Sequence, residues 1–86
     1  MIVVLGNKAE KKLEKIHKGD KKNFSKIIET IYEYAGNSGE HFDVKQLEGE
    51  TCKFRIRVNN YRILFKIENN NMIIVDVDVR GNIYKK

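Results

Sequence analysis

The chain has 86 residues, enough for a single domain, spanning 1–86, with a modest core. Its net charge of +5 favours nucleic acid or an acidic protein as a partner. Hydrophobic residues make up 41%, which excludes a disordered chain. Cys52 is the only cysteine, so an internal disulfide is excluded and a reducing compartment, the cytoplasm, is predicted. The N-terminal apolar run, residues 2–5, is too short for a membrane span, and no membrane association is expected.

A strand and two helices are predicted for the N-terminal half. Residues 2–5 are continuously apolar and indicate the strand. Asn7 with Glu10 three positions later resembles a capping box, which predicts the start of the first helix. Asp20 is a candidate cap for the second helix, because apolar residues recur at helical spacing after it.

Residues 53–66 alternate between apolar and polar side chains on both sides of Asn59 and Asn60. Asparagine tolerates positive φ, so this pair predicts a hairpin closed by a two-residue type I′ turn. The apolar face would carry Phe54, Ile56, Val58, Tyr61, Ile63 and Phe65. The other face would carry Lys53, Arg55, Arg57, Arg62, Leu64 and Lys66. Arg57 would face Arg62, and because like charges destabilise a sheet, we interpret this face as a site for an anion.

A further strand is predicted after the asparagine run 69–71, which we interpret as a three-residue turn. That register would place Phe65 opposite Val75 and Arg62 opposite Asp78. Two helices followed by antiparallel strands indicate an α+β fold. We expect an N-terminal strand, two helices, and then a three- to four-stranded antiparallel sheet with the helices on one face.

Four segments of the chain, taken together, resemble the RelE/ParE superfamily of type II toxins. They are Gln46-Leu47-Glu48-Gly49, Phe54-Arg55-Ile56-Arg57-Val58, Asn60-Tyr61-Arg62-Ile63-Leu64-Phe65 and Val79-Arg80-Gly81-Asn82-Ile83-Tyr84. The resemblance is strongest over residues 46–84 and implies the same α+β fold. RelE-like members are ribosome-dependent endoribonucleases that cut mRNA, whereas ParE-like members inhibit DNA gyrase without nuclease chemistry.

The resemblance to RelE-like toxins also implies which residues form the active face. Those positions are Arg55, Arg57, Arg62, Arg80 and Tyr84. Two features depart from the RelE pattern. Arginine replaces lysine at both positions of the first hairpin strand, and arginine stays charged, so it is a poor proton donor or acceptor. The C-terminal histidine of some relatives is also absent, because only two lysines follow Tyr84.

Metal-free RNA cleavage needs a ribose 2′-OH in line with the phosphate, a proton acceptor, a proton donor and cations around the developing charge. We expect Arg62 and Arg80 to stabilise that charge and Tyr84 to act at the 2′-OH. Nearby arginines would lower the pKa of the Tyr84 phenol from about 10. The RNA-binding set is Lys53, Arg55 and Arg57, and Lys53 is the alternative proton acceptor. No metal or cofactor is expected.

Plainer interpretations of the same residues stay open. A row of charges on a strand is often the solvated face of an antiparallel sheet, and Arg62 would then only bridge Asp78. Tyr84 would only close the sheet edge. Two further functions are also compatible with the resemblance: a ParE-like gyrase inhibitor, and an inactive relative within a DNA-bound toxin–antitoxin repressor complex. The partners implied by the main interpretation are a cognate antitoxin, the ribosome and mRNA.

Overall fold

A computed structural model of the chain describes residues 1–36, 44–47 and 53–79. Its elements are β1 (Ile2–Leu5), α1 (Asn7–Gly19), α2 (Lys21–Gly36), β2 (Val44–Gln46), β3 (Lys53–Val58), β4 (Tyr61–Glu68) and β5 (Asn71–Val79). The strands form one sheet in the order β1-β5-β4-β3-β2. Strands β2 to β5 are antiparallel, which confirms the predicted α+β fold. The sheet also has a fifth strand, because β1 pairs parallel with β5 at its edge.

The two helices begin in different ways. Asp20 caps α2, because its Oδ1 accepts a hydrogen bond from the Asn23 backbone N–H at 3.2 Å, which confirms that prediction. The capping box predicted for α1 is wrong, since the N-cap is Gly6 and makes no side-chain hydrogen bond. The Gly6 N–H donates to the Ile74 carbonyl at 2.9 Å, so the chain passes directly from the sheet into the helix. A Cβ at Gly6 would lie 3.0 Å from that carbonyl oxygen, which favours glycine over a capping side chain.

The β3–β4 hairpin has the predicted register at all six pairs, from Lys53 opposite Lys66 to Val58 opposite Tyr61. Its two-residue turn differs from type I′, because only Asn59 has a positive φ, 53°. The Asn59 side-chain amide donates to Asn23 Oδ1 at 2.8 Å. This bond connects the turn to the first turn of α2.

The β4–β5 connection differs from the prediction in two places. The turn has two residues, Asn69 and Asn70, with φ of 49° and 62°, as in a type I′ turn. A β-bulge then leaves Val75 without an opposite residue, so the predicted pairing of Phe65 with Val75 is wrong and Phe65 faces Ile74. The shorter turn shifts the register by one residue, and the bulge shifts it back by one residue. The predicted pairing of Arg62 with Asp78 is therefore confirmed.

The core lies between the two helices and one face of the sheet. Ile56 and Ile63 are opposite each other and fully buried. The Phe65 ring lies 5.2 Å from the Tyr34 ring of α2 and 5.5 Å from the Phe54 ring, measured between centroids. Because the apolar side chains occupy this face, the alternating basic side chains project from the opposite one. Within the described ranges, no helix is long and apolar enough to cross a membrane.

The Asp20 cap predicts a pH dependence of stability. Hydrogen bonds from Asn23 lower the pKa of the Asp20 carboxyl. A lowered folded-state pKa stabilises the fold above the unfolded pKa of about 3.9, and this contribution is lost as the pH falls through the folded-state pKa. Asp20→Asn keeps a capping oxygen but removes the charge. Its destabilisation, measured by urea unfolding, is therefore expected at about pH 6 and should shrink toward about pH 3.

A matched control for this measurement is Glu29→Gln, which removes one exposed carboxylate from the same helix. The change in destabilisation between the two pH values should be larger for Asp20→Asn than for this control. A destabilisation by Asp20→Asn that stays constant with pH would show that the Asp20 charge does not stabilise the cap.

Candidate functional site

The sheet surface opposite the helices concentrates positive charge and is called the basic face here. It carries Lys53, Arg55 and Arg57 from β3 and Arg62 and Lys66 from β4. The register sets Arg57 directly opposite Arg62 and Lys53 directly opposite Lys66. Both are like-charge pairs, which cost stability in a sheet. The positive charge of Lys66 is partly compensated by Glu68, because a carboxylate oxygen of Glu68 lies 3.6 Å from Lys66 Nζ.

The four predicted site residues within the described ranges come together on this face. Arg57 is exposed, while Lys53, Arg55 and Arg62 are half-buried. Long basic side chains can lay their methylene stems on a sheet while the charged end reaches the surface. In Arg62 the Nε atom itself is buried. A guanidinium also presents a planar fork of N–H donors that matches two oxygens of a phosphate. The arrangement therefore suits a chain of phosphates lying across the hairpin.

Carboxylates of β5 border the basic face. Asp78 lies opposite Arg62, and Asp76 lies opposite Leu64. Each Asp also accepts a 2.8 Å hydrogen bond from the N–H of the valine that follows it. These N–H groups lie where β5 has passed the end of β1, since β1 pairs only with residues 71–74. The two carboxylates thus satisfy part of an otherwise open strand edge.

Two lysines of α1 reach these carboxylates, and neither was predicted from the sequence. Lys12 Nζ lies 2.7 Å from Asp78 Oδ2 and 3.4 Å from Asp76 Oδ1. Lys8 Nζ lies 3.3 Å from Asp76 Oδ2. Asp76 is only 7% exposed, so the lysines compensate a carboxylate that is largely removed from water. The pKa of Lys12 is raised, first by its hydrogen bond with Asp78, which keeps its ammonium group charged.

An open groove lies beside this cluster, between α1 and the C-terminal end of β5. Its lysines are Lys8, Lys11, Lys12 and Lys15. Ile16, Tyr61, Val77 and Val79 are the apolar and aromatic residues that line it. The sequence does contain a signal for this lysine-rich side of α1. The four lysines are spaced at i, i+3, i+4 and i+7, and residues at that spacing share one face of a helix. The lysines of α1 therefore form a second positive surface, which the β5 carboxylates separate from the basic face.

Tyr61 has the structural role that its position in the alternation predicts. It is half-buried, and its hydroxyl donates a hydrogen bond to Asp20 Oδ2 at 3.2 Å. Burial and this bond raise the pKa of the Tyr61 phenol. Tyr61 is therefore unsuited to accept a proton near neutral pH.

Two predicted catalytic residues, Arg80 and Tyr84, lie outside the described residues, as do Cys52 and His41. Their roles stay predictions. His17 is described, and its ring makes an edge contact with Phe24 at 4.7 Å between centroids. In the part of the chain that the structure describes, no three His, Cys, Asp or Glu side chains are grouped as metal ligands.

Solved structures with the same fold come from several toxins. The YoeB dimer of Staphylococcus aureus has a TM-score of 0.75 at 18% identity, over 88% of this chain and 92% of that one. The RelB–RelE antitoxin–toxin complex of Methanococcus jannaschii has a TM-score of 0.71 at 26% identity, over 94% of both chains. The RelE–RelB complex of Pyrococcus horikoshii OT3 has a TM-score of 0.70 at 25% identity, over 94% of this chain and 96% of that one.

The sequence also matches a family model, described as the ParE toxin of the type II toxin–antitoxin system parDE, over residues 3–84. No curated protein matches the chain. The family match covers nearly the whole chain, and the fold agrees with the one that the resemblance implies. The chain therefore belongs to the ParE toxin family of type II toxin–antitoxin systems, within the RelE/ParE superfamily.

Proposed function

We propose that this toxin is a RelE-type endoribonuclease, which cuts mRNA on the ribosome without a metal or cofactor and so inhibits translation. The observation that carries the proposal is the basic face, where Arg55, Arg57 and Arg62 share one surface with Lys53. Arg57 and Arg62 are directly opposite each other, and a bound RNA phosphate would relieve the repulsion between them. The similarity to the RelE chain of Methanococcus jannaschii supports the same assignment.

The proposed reaction is an attack of the ribose 2′-OH on the adjacent phosphorus. The 2′-OH gives its proton to an acceptor and the 2′-oxygen forms a new bond to phosphorus. The bond to the 5′-oxygen breaks, and that oxygen takes up a proton from water, so a 2′,3′-cyclic phosphate and a 5′-hydroxyl result. Negative charge grows on the non-bridging oxygens in the transition state. Arg62 and Arg80 are proposed to stabilise it, and preorganised donors of this kind typically contribute about 10²- to 10³-fold in rate each.

The proton transfers are assigned to groups other than the arginines, because a guanidinium stays charged throughout. Tyr84 is proposed to act at the 2′-OH, and an arginine close to it would favour its phenolate. Tyr61 does not compete for this role, since its hydroxyl is engaged with Asp20 and its pKa is raised. Lys53, on the basic face, is proposed as the alternative proton acceptor. Alignment of the mRNA by the ribosome would supply much of the remaining rate through orientation.

The remaining basic residues are proposed to bind RNA. Lys53, Arg55 and Arg57 extend along β3, so they can contact successive phosphates of mRNA or ribosomal RNA. Contacts to phosphate fix the position of a nucleic acid without reading its sequence. This strand would therefore set the position of the substrate.

Two kinds of partner follow from the proposal. The first is a cognate antitoxin, a small protein whose acidic or amphipathic segment would cover the sheet and the helices. RelB and YefM are bound to their toxins in solved structures with the same fold. The second is the ribosome with its mRNA, which places the protein in the cytoplasm. A DNA-bound complex of toxin and antitoxin is a further proposed assembly.

The second candidate function is inhibition of DNA gyrase. The family description favours it, because the matching model is named for ParE. In that case the basic face would bind gyrase or DNA, and no residue of the toxin would transfer protons.

Expression of the toxin without its antitoxin is expected to stop growth by depleting mRNA. Because the proposed reaction takes place on the ribosome, cleavage should fall within translated frames and should disappear from a reporter whose start codon is removed. Primer extension on both reporters measures this. Purified toxin should also leave gyrase-driven supercoiling unchanged. Intact transcripts together with blocked supercoiling would instead assign the toxin to the second candidate function.

A further inference from the structure

The groove between α1 and the end of β5 has the size and the floor that suit a helix of another protein. Its volume is about 880 Å³, and its lining follows α1 from Lys8 to Gly19. The rise of α1 over this stretch is about 17 Å, or about three helical turns. Apolar surface is accessible on the floor, since Ile16 and Tyr61 are half-buried and Val79 is 42% exposed.

Two of the four lysines in the groove have a carboxylate partner and two do not. Lys8 and Lys12 both lie within 3.4 Å of the buried Asp76 carboxylate. Lys11 and Lys15 are exposed and make no ion pair with any residue that the structure describes. They are one helical turn apart, so their ammonium groups lie about 6 Å from each other along the helix axis. One wall of the groove thus presents two evenly spaced, exposed cations.

The carboxylates that line the groove already accept hydrogen bonds from other groups. Asp78 Oδ2 accepts one from Lys12 Nζ at 2.7 Å, and Asp78 Oδ1 accepts one from the Val79 N–H at 2.8 Å. Asp20 accepts hydrogen bonds from the backbone N–H and the side-chain amide of Asn23, at 3.2 and 2.8 Å. The two exposed lysines are therefore positioned for carboxylates of another molecule.

The β5 wall of the groove favours a bound helix over an added strand. An added strand needs backbone N–H and C=O groups that are open along the edge of a sheet. The N–H groups of Val77 and Val79 instead donate to the side chains of Asp76 and Asp78 at 2.8 Å. A strand would have to break these bonds, whereas a helix satisfies its own backbone and binds through its side chains.

The apolar floor favours a peptide over a nucleic acid. An RNA backbone would gain from the lysines but has no apolar side chain to place on Ile16 and Val79. An amphipathic helix presents apolar residues at i, i+3, i+4 and i+7, with polar residues beside them. Residues 80–86 of this chain carry three basic residues and no acidic one, so their charge does not match that of the lysines.

We propose that the groove between α1 and β5 binds an acidic amphipathic helix of a partner protein. Carboxylates one turn apart on that helix would pair with Lys11 and Lys15, and its apolar side chains would lie on Ile16, Tyr61 and Val79. The chemistry of the bound helix follows from the groove alone. Only its source, the cognate antitoxin, rests on the proposed function.

Synthetic peptides titrated into the intact toxin test the proposal. The first peptide has about four helical turns, with leucine at i, i+3, i+4 and i+7 and glutamate beside them. Two comparison peptides replace every glutamate with glutamine or every leucine with serine. Isothermal titration calorimetry should show saturable binding of the first peptide and much weaker binding of the other two. No saturable binding of the first peptide would show that the groove is closed to a helix and would overturn the proposal.

Lysine variants locate the bound peptide. Lys11→Gln together with Lys15→Gln should weaken binding of the first peptide by roughly five- to tenfold, the range for two exposed ion pairs. The matched control is Lys18→Gln together with Lys26→Gln, which removes the same charge from exposed helical positions outside the groove. Its effect should be roughly twofold at most, because salt screens charges that are not in contact. Equal losses in the two double variants would reduce the effect to general positive charge and overturn the proposal.

A variant of the floor separates a peptide from RNA. Val79→Thr keeps the β-branched shape and removes apolar contact, so it should weaken binding of the first peptide by roughly threefold. Binding of oligouridylate, which is proposed to occupy the basic face, should be unchanged in Val79→Thr. A larger loss for oligouridylate than for the peptide in the Lys11 and Lys15 variant would make the groove a nucleic-acid surface instead.

Two further outcomes bear on the occupant. Light scattering on the toxin alone should show no dimer that the Lys11 and Lys15 substitutions abolish. Such a dimer would make a second copy of the chain the occupant and would overturn the proposal. If the toxin fails to cut mRNA, the proposed function fails, while the peptide titrations still decide what the groove binds.

Discussion

Replacing Ile63 with alanine is expected to lower the free energy of unfolding by about 2 to 5 kcal/mol. Ile63 is fully buried on β4, opposite the equally buried Ile56 on β3 and Val77 on β5. Its removal leaves a cavity between the sheet and the helices that the close-packed neighbours can only partly fill. Urea unfolding followed by circular dichroism measures the change.

The matched control is Arg55→Ala, one strand away on the opposite face of the sheet. Arg55 lies on β3 opposite Leu64 and is half-buried, so its truncation should cost much less stability than that of Ile63. The two substitutions together test the alternation that separates core from basic face. A larger loss for Arg55→Ala than for Ile63→Ala would mean that the strands are out of register by one residue, and the basic face would not exist as described.

The hairpin could be predicted from the sequence because two independent signals agree there. Strict alternation of side chains assigns each residue to a face, and the Asn59-Asn60 pair fixes which residues lie opposite each other. The exact turn type could not be predicted in the same way. The Asn59 side chain contacts Asn23, which belongs to another element, and local sequence does not reveal this contact.

The β4–β5 register shows why a correct pairing can follow from an incomplete prediction. Three asparagines in a row allow either a two- or a three-residue turn, and residues 72–75 are apolar at every position, so alternation does not choose between them. The bulge at Val75 restores the alternation and turns Val77 toward the core. Nothing in a continuous apolar run marks the position of a bulge. The pairing of Arg62 with Asp78 was nevertheless correct, because the two shifts cancel.

The place of β1 in the sheet and the Lys12–Asp78 bond both depend on contacts between distant parts of the chain. The run of residues 2–5 predicts a strand, but its parallel pairing with β5 depends on how the two helices return the chain to the sheet. The Lys12–Asp78 bond joins residues 66 positions apart. Local periodicity places both residues correctly on their own elements and contains no information about this contact.

The fold alone does not separate the two candidate functions. RelE and YoeB toxins share it with this chain, and the family model that matches the chain is named for ParE. The choice has to come from side chains, because one scaffold supports unrelated activities. What distinguishes the candidates is whether the arginines of the basic face stabilise a reacting phosphate or only contact a binding partner.

Replacing Arg62 with alanine is expected to slow mRNA cleavage on saturated ribosomes by about 10²- to 10³-fold, with little effect on ribosome binding. Arg62 is half-buried and lies between Arg57 on one side and Asp78 on the other, so its position is defined by three strands. A contact that forms fully only in the transition state lowers the rate of the chemical step when it is removed. Single-turnover cleavage and ribosome binding, measured on the same preparation, separate the two effects.

The matched control is Arg57→Ala, which removes the same guanidinium from the residue directly opposite. Arg57 is exposed and is proposed to bind phosphate outside the reacting centre. Its loss should therefore weaken ribosome binding and reduce the salt dependence of binding by roughly one phosphate contact, with a smaller effect on the rate at saturation. If the two variants instead lose binding alike and cleave at the wild-type rate once bound, the basic face is a docking surface only. The chemistry would then have to come from Tyr84, Arg80 or the ribosome itself.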